Sequence, residues 1–280
     1  QCRHRKTECA PKHIPAAHLN HLRNLQVAQR LHQLSQMAGA PMVVGLETVS
    51  IDQHGVHTYN SAAMITPLEG MLGRYDKLHR VPFGEYLPLK ESLPWLAHFS
   101  PYPPDFGIAA GAQPRVFQYN GIRYAPLICF EDTVPHVVRR VLLATDKSGK
   151  TGKPVDVLLN LTNDGWFHGS SELDQHLITA AFRCVENRTP MVRSVNTGIS
   201  AVIDGDGAIR SRAVDPATGR SKQVEAVLVD HVLLDTRRSL YLAGGDWFAG
   251  SCGACCGLLA IAGLLSRWIP KRTAAGNNGV

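Results

Sequence analysis

Residues 122–132, IRYAPLICFED, place a cysteine and two carboxylates directly after an apolar segment. Asn120-Gly121 precedes this segment and follows a second short run, RVFQY, at 115–119. An Asn-Gly pair between two such runs is typical of a β-hairpin with a type I′ turn, so we predict strands over 115–119 and 122–128. Cys129 then lies at the carboxyl end of a buried strand, where loops commonly assemble functional sites.

Patterns on both sides of this hairpin predict alternating helices and strands. Leucines recur at three- and four-residue spacings through most of residues 16–38, which predicts an amphipathic helix ended by Gly39. The continuous apolar run VDVLLNL at 155–161 predicts another buried strand. We also predict strands over 41–46, 61–66 and 191–194, a helix over 173–185 and a hairpin of 199–203 with 208–212. This alternation indicates an α/β fold with mixed strand directions.

The composition is that of a globular protein. Hydrophobic residues make up 44% of the 280 residues and charged residues 19%, which excludes disorder as the main state. The formal net charge is +6, but the basic residues form no run suited to nucleic acid, so no nucleic-acid partner is expected. The seven cysteines and thirteen histidines are scattered and match neither a disulfide framework nor a zinc ribbon. We therefore expect no metal and no cofactor.

Two further segments carry groups that could activate Cys129. They are RYDKLHRVPFGE at 74–85 and NLTNDGWF at 160–167. A thiol attacks as its thiolate and needs a base or a nearby cation, which a carboxylate and Lys77 can supply. The alternative is an inert core thiol, because free cysteine is among the most buried residue types.

Taken together, these segments resemble the nitrilase superfamily and, more closely, the apolipoprotein N-acyltransferases. In that family a YxKxHxVPFGE segment carries a lysine and a second glutamate, C-[YF]-E carries the nucleophile, and ND-[AG]-WF lines the pocket. The corresponding residues here are 75–85, 129–131 and 163–167, followed by RSVNTGISAVI at 193–203. The resemblance covers about residues 40–266.

The resemblance implies a fold and a reaction. The implied fold is a nitrilase-like αββα sandwich with mixed sheets over residues 1–240. The implied reaction moves a fatty acyl group from a phospholipid, through a cysteine thioester, to the α-amino group of the S-diacylglyceryl-cysteine of an apolipoprotein. The implied partners are the phospholipid donor, the lipoprotein acceptor and the membrane, and the implied state is a monomer.

The same resemblance assigns the chemistry to a Glu-Lys-Cys triad. Cys129 would be the nucleophile, and Lys77 would stabilise the oxyanion together with a backbone N–H near Phe130. Glu85 would hold Lys77 in position or share its proton. The family's general base precedes the first helix, where Glu8 in TECAP is the candidate.

Several other acidic and aromatic residues allow more than one interpretation of their role. Glu47 follows an apolar strand, but it lies after the helix rather than before it. The substrate-binding candidates are Phe130, Glu131, Trp166 and Phe167. Ordinary core packing is the alternative for the last two aromatic residues, and surface salt bridges are the alternative for Glu131 and its neighbour Asp132.

The C-terminal region contains twenty consecutive uncharged residues, 247–266. A helix of that length spans roughly 30 Å, the thickness of a bilayer's hydrocarbon core. Trp247 and Trp268 stand at its ends, as interfacial aromatic residues do. Arg267, Lys271 and Arg272 predict that the tail 267–280 is cytoplasmic and that the catalytic domain lies on the periplasmic side of a bacterial inner membrane. The alternative is a buried, glycine-rich helical hairpin.

Two other functions compete with the acyltransferase. One is a soluble or tethered C–N hydrolase of the same superfamily that cleaves a small amide, although such an enzyme has no need of the apolar C-terminal run. The other is an inactive fragment that binds lipid or lipoprotein. The family carries several membrane helices before its catalytic domain, and this chain begins at Gln1 without them. We therefore expect the sequence to be a truncated or frameshifted part of a longer protein.

Overall fold

The computed structural model of the protein describes residues 16–53, 55–89, 92–93, 95, 106–144 and 153–266. Within these ranges the chain forms nine strands in two sheets, together with five α-helices. The strands are β1 (Met42–Asp52), β2 (Gly55–Thr66), β3 (Gly70–Asp76), β4 (Phe117–Tyr119), β5 (Ile122–Ile128), β6 (Val157–Thr162), β7 (Met191–Val195), β8 (Ala201–Ile203) and β9 (Ile209–Arg212). The helices are α1 (Ala16–Ala38), α2 (Pro135–Leu143), α3 (Glu172–Asn187), α4 (Leu240–Gly244) and α5 (Trp247–Ser266).

The first sheet is an antiparallel meander in the order β1-β2-β3. Glu47 of β1 pairs with Asn60 of β2, and the Asn60 carbonyl accepts a hydrogen bond of 2.9 Å from the Lys77 amide just beyond β3. This sheet therefore places Glu47 and Lys77 on either side of Asn60.

The second sheet has six strands in the order β4-β5-β6-β7-β8-β9. Its three central strands, β5 to β7, are parallel, whereas the outer pairs are antiparallel. The carboxyl ends of parallel strands meet at one edge of a sheet, where open α/β sheets bind their ligands. The residues that follow β5, β6 and β7 therefore lie side by side at this edge.

The two sheets pack face to face around an apolar core. The core cluster joins Ala62, Met64 and Tyr75 of the first sheet to Phe117 and Ile128 of the second. Helix α1 packs against the first sheet, and α2 packs against β5 and α3 on the other side. Pro135 begins α2, and Glu172 and Asp174 stand in the first turn of α3, where proline and acidic side chains favour a helix start. The order of layers is helix, sheet, sheet, helix, as the resemblance implies.

Most of the predicted elements are confirmed. Helix α1 has the predicted bounds, and Asn120 and Gly121 both have positive φ, as a type I′ turn requires. β1 and β2 are longer than predicted, because cross-strand pairing continues over polar residues that have no hydrophobic signal. β3 and α2 have no counterpart in the prediction, since their short segments mix apolar residues with arginine or glycine.

The chain divides into two compact units, residues 1–238 and 239–280. The second unit contains α4 and α5. Within the described part of the chain, α5 is the helix long and apolar enough to cross a membrane, and none of its residues is buried. The alternative of a glycine-rich helical hairpin is wrong for 247–266, which form one continuous helix.

Candidate active site

Cys129 lies at the turn between β5 and a short 3₁₀ segment, Cys129–Thr133. Its backbone φ is 53°, a conformation that non-glycine residues adopt rarely and mostly where the surrounding structure imposes it. The Asn160 side chain of β6 donates a hydrogen bond of 3.2 Å to the Cys129 carbonyl and so ties the turn to the neighbouring strand. Cys129 is half-buried, so the fully inert core position does not apply to it.

Cys129 opens into a cavity of about 860 Å³ between the two sheets. This volume is large enough for a sizeable organic ligand. Its lining includes Glu47, Glu85, Cys129, Asn163, Trp166 and Asn196. These residues come from the first sheet and from the loops that follow β3, β5, β6 and β7, so the cavity lies where the ends of the parallel strands face the antiparallel meander.

Lys77 and Glu85 form an ion pair beside this cavity. The Lys77 Nζ atom donates to both carboxylate oxygens of Glu85, at 2.7 and 2.8 Å. Lys77 is fully buried, whereas Glu85 keeps 19% of its side chain exposed and lines the cavity. The Val81 amide donates to the same carboxylate at 2.8 Å, which fixes the Glu85 side chain within its own loop. The pair therefore has a rigid inner partner and an outer partner that a ligand can reach.

Two glycines allow a second loop to close over this pair. The Gly111 amide donates to the Lys77 carbonyl at 2.7 Å, and a Cβ at Gly111 would lie only 2.2 Å from the Asp76 carbonyl oxygen. A Cβ at Gly107, which has φ +124°, would lie 2.9 Å from the Glu85 carbonyl oxygen. Only glycine permits such close backbone approach and such a φ. Residues 106–111 thus hold the Lys77–Glu85 loop from outside.

Glu131 is fully buried and receives hydrogen bonds from several donors. The Tyr75 hydroxyl donates to both carboxylate oxygens at 2.9 Å, and the Ile128 amide donates at 2.8 Å. The amides of Leu78 and His79 donate at 2.7 and 3.0 Å. Burial raises the pKa of Glu131 despite these hydrogen bonds, which oppose the shift. Glu131 therefore ties the loop after Lys77 to the turn of Cys129.

Asp132 is also fully buried, so the alternative of surface salt bridges is wrong for both carboxylates. Its partners are His176 at 2.7 Å and Arg193 at 2.6 Å.

The aromatic candidates lie in different environments. Trp166 lines the cavity and is 71% exposed, so ordinary core packing is wrong for this residue. Phe130 and Phe167 are half-buried, and neither is among the described lining residues of the cavity. Of these three aromatic candidates, Trp166 is thus the one that lines the cavity.

Glu8 lies outside the described residues. Within the described part of the chain, the carboxylates that line the cavity are those of Glu47 and Glu85. Asn163 and Asn196 also line it, and the Asn196 side chain donates to Asn163 at 2.5 Å. Both asparagines stand in the motif segments 163–167 and 193–203, and their position directly after parallel strands is the signal that could have assigned them to the site. No group of three or more potential metal ligands occurs in the residues that the structure describes.

Comparison with known families and proteins gives matches over most of the chain. The carbon–nitrogen hydrolase family model matches residues 7–219. The apolipoprotein N-acyltransferase of Geobacter metallireducens is 36% identical over 240 residues, which are 86% of this chain and 42% of that protein. The apolipoprotein N-acyltransferase of Rhodopirellula baltica is 33% identical over 214 residues, 76% of this chain and 36% of that protein. The chain spans less than half the length of these relatives.

Solved structures match the fold at low sequence identity. A CN-hydrolase superfamily protein from Xanthomonas campestris matches with a TM-score of 0.52 and 19% identity, over 79% of this chain and 71% of that chain. An amidase from Nesterenkonia sp. matches with a TM-score of 0.50 and 17% identity, over 78% of this chain and 69% of that chain. At such identities the likeness concerns the fold alone.

Proposed function

The chain belongs to the carbon–nitrogen hydrolase family, and on that premise we propose that it is the catalytic part of an apolipoprotein N-acyltransferase. The observation that carries the proposed chemistry is Cys129, a half-buried thiol at a strained turn that opens into a cavity beside a lysine–glutamate pair. The named relatives, 36% and 33% identical, support acyl transfer over hydrolysis.

The reaction has two steps that share one thioester. The Cys129 sulfur attacks the carbonyl carbon of a phospholipid ester, and collapse of the tetrahedral intermediate expels the glycerol oxygen, which takes a proton and leaves as a lysophospholipid. The α-amino group of an S-diacylglyceryl-cysteine then attacks the thioester. The new amide keeps the acyl group, the amine loses a proton, and the thiol is restored.

Lys77 acts on the oxyanion in both steps. Two of the three ammonium protons point at Glu85, and among the described contacts the third is left for the developing negative charge. Preorganised donors of this kind stabilise a transition state strongly, because they need no reorganisation during the reaction. Glu85 keeps Lys77 in this orientation, and the Phe130 amide supplies a second donor.

Glu8 is the proposed general base that takes the thiol proton. The family model begins to match at residue 7, which includes Glu8 in the matched region. Glu47 is the competing carboxylate, because it lines the cavity with Cys129. If acylation is unchanged in Glu8→Gln and lost in Glu47→Gln, the base is Glu47.

The remaining candidates either contact the substrate or position the residues that do. Trp166 forms an apolar wall for the acyl chain, and Phe167 of the same 3₁₀ segment is the second candidate for this wall. Phe130 contributes through its backbone at the turn of Cys129. For Glu131 we now propose a positioning role instead of substrate contact, because its buried carboxylate has no exposed face.

Helix α5 anchors the enzyme at its substrates. A helix of twenty residues is about as long as a bilayer's hydrocarbon core is thick, and the basic residues that follow favour a cytoplasmic tail under the positive-inside rule. The catalytic domain would then work on the periplasmic side of the inner membrane, as a monomer, with phospholipid and lipoprotein at hand.

Mass spectrometry of the intact chain tests this function. The protein is incubated with phospholipid vesicles and a diacylated lipopeptide, and an acyl adduct on Cys129 and an N-acylated lipopeptide are expected. Cys129→Ala should abolish both, whereas Cys252→Ala, which removes an exposed thiol of α5, should leave both unchanged. Hydrolysis of small amides without an acyl adduct would favour the C–N hydrolase. Lipid binding without either reaction would favour an inactive lipid-binding part.

A further inference from the structure

Four charged side chains form a sealed cluster behind the turn of Cys129. Asp132, Asp164, His176 and Arg193 are each at most 3% exposed. His176 bridges the two carboxylates: its Nε2 atom lies 2.7 Å from Asp132 and its Nδ1 atom 3.0 Å from Asp164. Arg193 spans the same two carboxylates, at 2.6 Å to Asp132 and 3.3 Å to Asp164. Each carboxylate is therefore held by both cations.

The four residues come from four separate elements. Asp132 belongs to the 3₁₀ segment that Cys129 begins, and Asp164 begins the next 3₁₀ segment, Asp164–Phe167, which carries Trp166. His176 lies on α3 and Arg193 on β7. The cluster thus connects the turn of Cys129 to the turn of Trp166 through side chains from α3 and β7.

The geometry also fixes the protonation of His176. A neutral imidazole has one N–H donor and one acceptor nitrogen, whereas an ionised carboxylate only accepts. Each ring nitrogen of His176 faces a carboxylate oxygen, so a neutral ring would set a lone pair against a carboxylate. The imidazolium donates to both, and two cations then balance two carboxylates within a region closed to water.

We propose that His176 is a positioning residue, held as an imidazolium, that together with Arg193 fixes the turn of Cys129 relative to the turn of Trp166. The groups that face its ring are Asp132, Asp164 and Arg193, and the buried thiol of Cys184 lies near Asp132 on the same helix as His176. Burial lowers the pKa of His176, but the hydrogen bonds to the two carboxylates outweigh it and raise the pKa to about 9. That this fixation matters for catalysis depends on the acyl transfer proposed above. The protonation of His176 and the fixation of the two turns do not depend on it.

The protonation is tested by NMR titration of the chain in detergent micelles with ¹³C-labelled histidine. The His176 signal is identified by its loss in His176→Gln and is expected to titrate near pH 9. In Asp164→Asn, which removes one carboxylate and keeps the side-chain size, the midpoint should fall by at least one pH unit. A wild-type midpoint at or below pH 6.5 would overturn the proposal.

The fixation is tested by hydrogen–deuterium exchange at pH 7.5. In His176→Gln we expect at least tenfold faster exchange in residues 128–134 and 163–168, with β2 unchanged as the internal reference. His32 of α1 hydrogen-bonds the backbone carbonyl of Pro67, and His32→Gln is the matched control that should change neither turn. Uniform acceleration over the whole domain, or no change in the two turns, would refute a positioning role.

Acyl-adduct formation on Cys129 supplies the functional readout. We expect His176→Gln to lower the rate of adduct formation at least tenfold, with little change in the KM for phospholipid. Asp164→Asn should lower this rate less at pH 7.5, and its rate should fall more steeply above the shifted His176 midpoint. If the two turns loosen in His176→Gln as expected and the wild type forms no adduct, the acyl transfer is refuted and the positioning role of His176 stands. If the turns loosen and the variant forms the adduct at the wild-type rate, the importance of this positioning for catalysis is refuted.

Discussion

The site has an open side, where the Lys77–Glu85 pair lies beside the cavity, and a sealed side, where Glu131 and His176 lie buried behind the turn of Cys129. The two sides use carboxylates in opposite ways. On the open side Glu85 is partly exposed, lines the cavity and holds a buried lysine. On the sealed side Glu131 is fully buried and holds a tyrosine hydroxyl and three backbone amides. Exposure and donor set therefore distinguish a carboxylate that a ligand can reach from one that fixes the turn of Cys129.

The same substitution on both glutamates gives the largest expected effect. A glutamine has one acceptor oxygen, so Glu131→Gln must turn its NH₂ group toward buried N–H or O–H donors. Leaving such donors unsatisfied costs about 1–3 kcal/mol each, so we expect the free energy of unfolding to fall by about 4 kcal/mol. Denaturant unfolding measures this. Glu85→Gln also costs stability because it removes the counter-ion of buried Lys77, but the amide oxygen still accepts from Lys77 and cavity water solvates the exposed part of the side chain, so the loss should be smaller. Equal losses would remove the distinction between the two sides.

The sealed side also gives the protein a defined dependence of stability on pH. His176 has a pKa of about 9 in the fold and about 6.5 when unfolded. Its contribution is therefore fully present below pH 6.5 and is lost as the pH rises to 9, a loss of roughly 3 kcal/mol. Burial lowers the pKa of Lys153 to about 8, which adds stability with rising pH above that value and opposes the loss.

The difference between wild type and His176→Gln isolates the histidine, because Lys153 is present in both. We expect the wild-type advantage in thermal unfolding temperature to shrink between pH 6.5 and 9. An advantage that stays constant over this range would show that His176 does not change its proton on unfolding.

The first of these predictions concerns Glu131, which the sequence motifs include but do not place, and the second concerns His176, which no sequence pattern singled out. The family pattern selects Cys129, Lys77 and Glu85 as candidates, and the hairpin before Cys129 could be predicted because Asn-Gly selects one turn type. The burial of Glu131 and the Asp132–His176 contact could not be found in this way. The latter joins residues 44 positions apart, through the packing of α3 on the turn after β5. Local patterns fix strands and turns, whereas partner choice inside the site depends on the three-dimensional packing.

For Glu85, on the open side, the larger expected loss is in activity. Glu85→Gln removes the charge that orients Lys77, and losing a preorganised oxyanion donor costs about 10²–10³ in rate. We expect acyl-adduct formation on Cys129 to fall by about 100-fold, measured by quenched-flow mass spectrometry. Glu186→Gln, at an ion pair with Arg183 on α3, is the control and should keep the wild-type rate. A rate in Glu85→Gln within threefold of wild type would contradict the role of the pair.

The smallest expected effect concerns the exposed tryptophan of the site. Trp166 is 71% exposed, so Trp166→Ala removes few packed contacts and should change the free energy of unfolding by no more than about 0.5 kcal/mol. If its ring forms a wall for the acyl chain, the loss appears in binding, as a severalfold higher KM for phospholipid with kcat nearly unchanged. Phe182→Ala on α3 removes another exposed aromatic ring, outside the described lining of the cavity, and should change neither constant. Steady-state kinetics on vesicles separates the outcomes. An unchanged KM would show that Trp166 does not contribute to binding of the phospholipid donor. A lower kcat would show that Trp166 contributes to the chemical step itself.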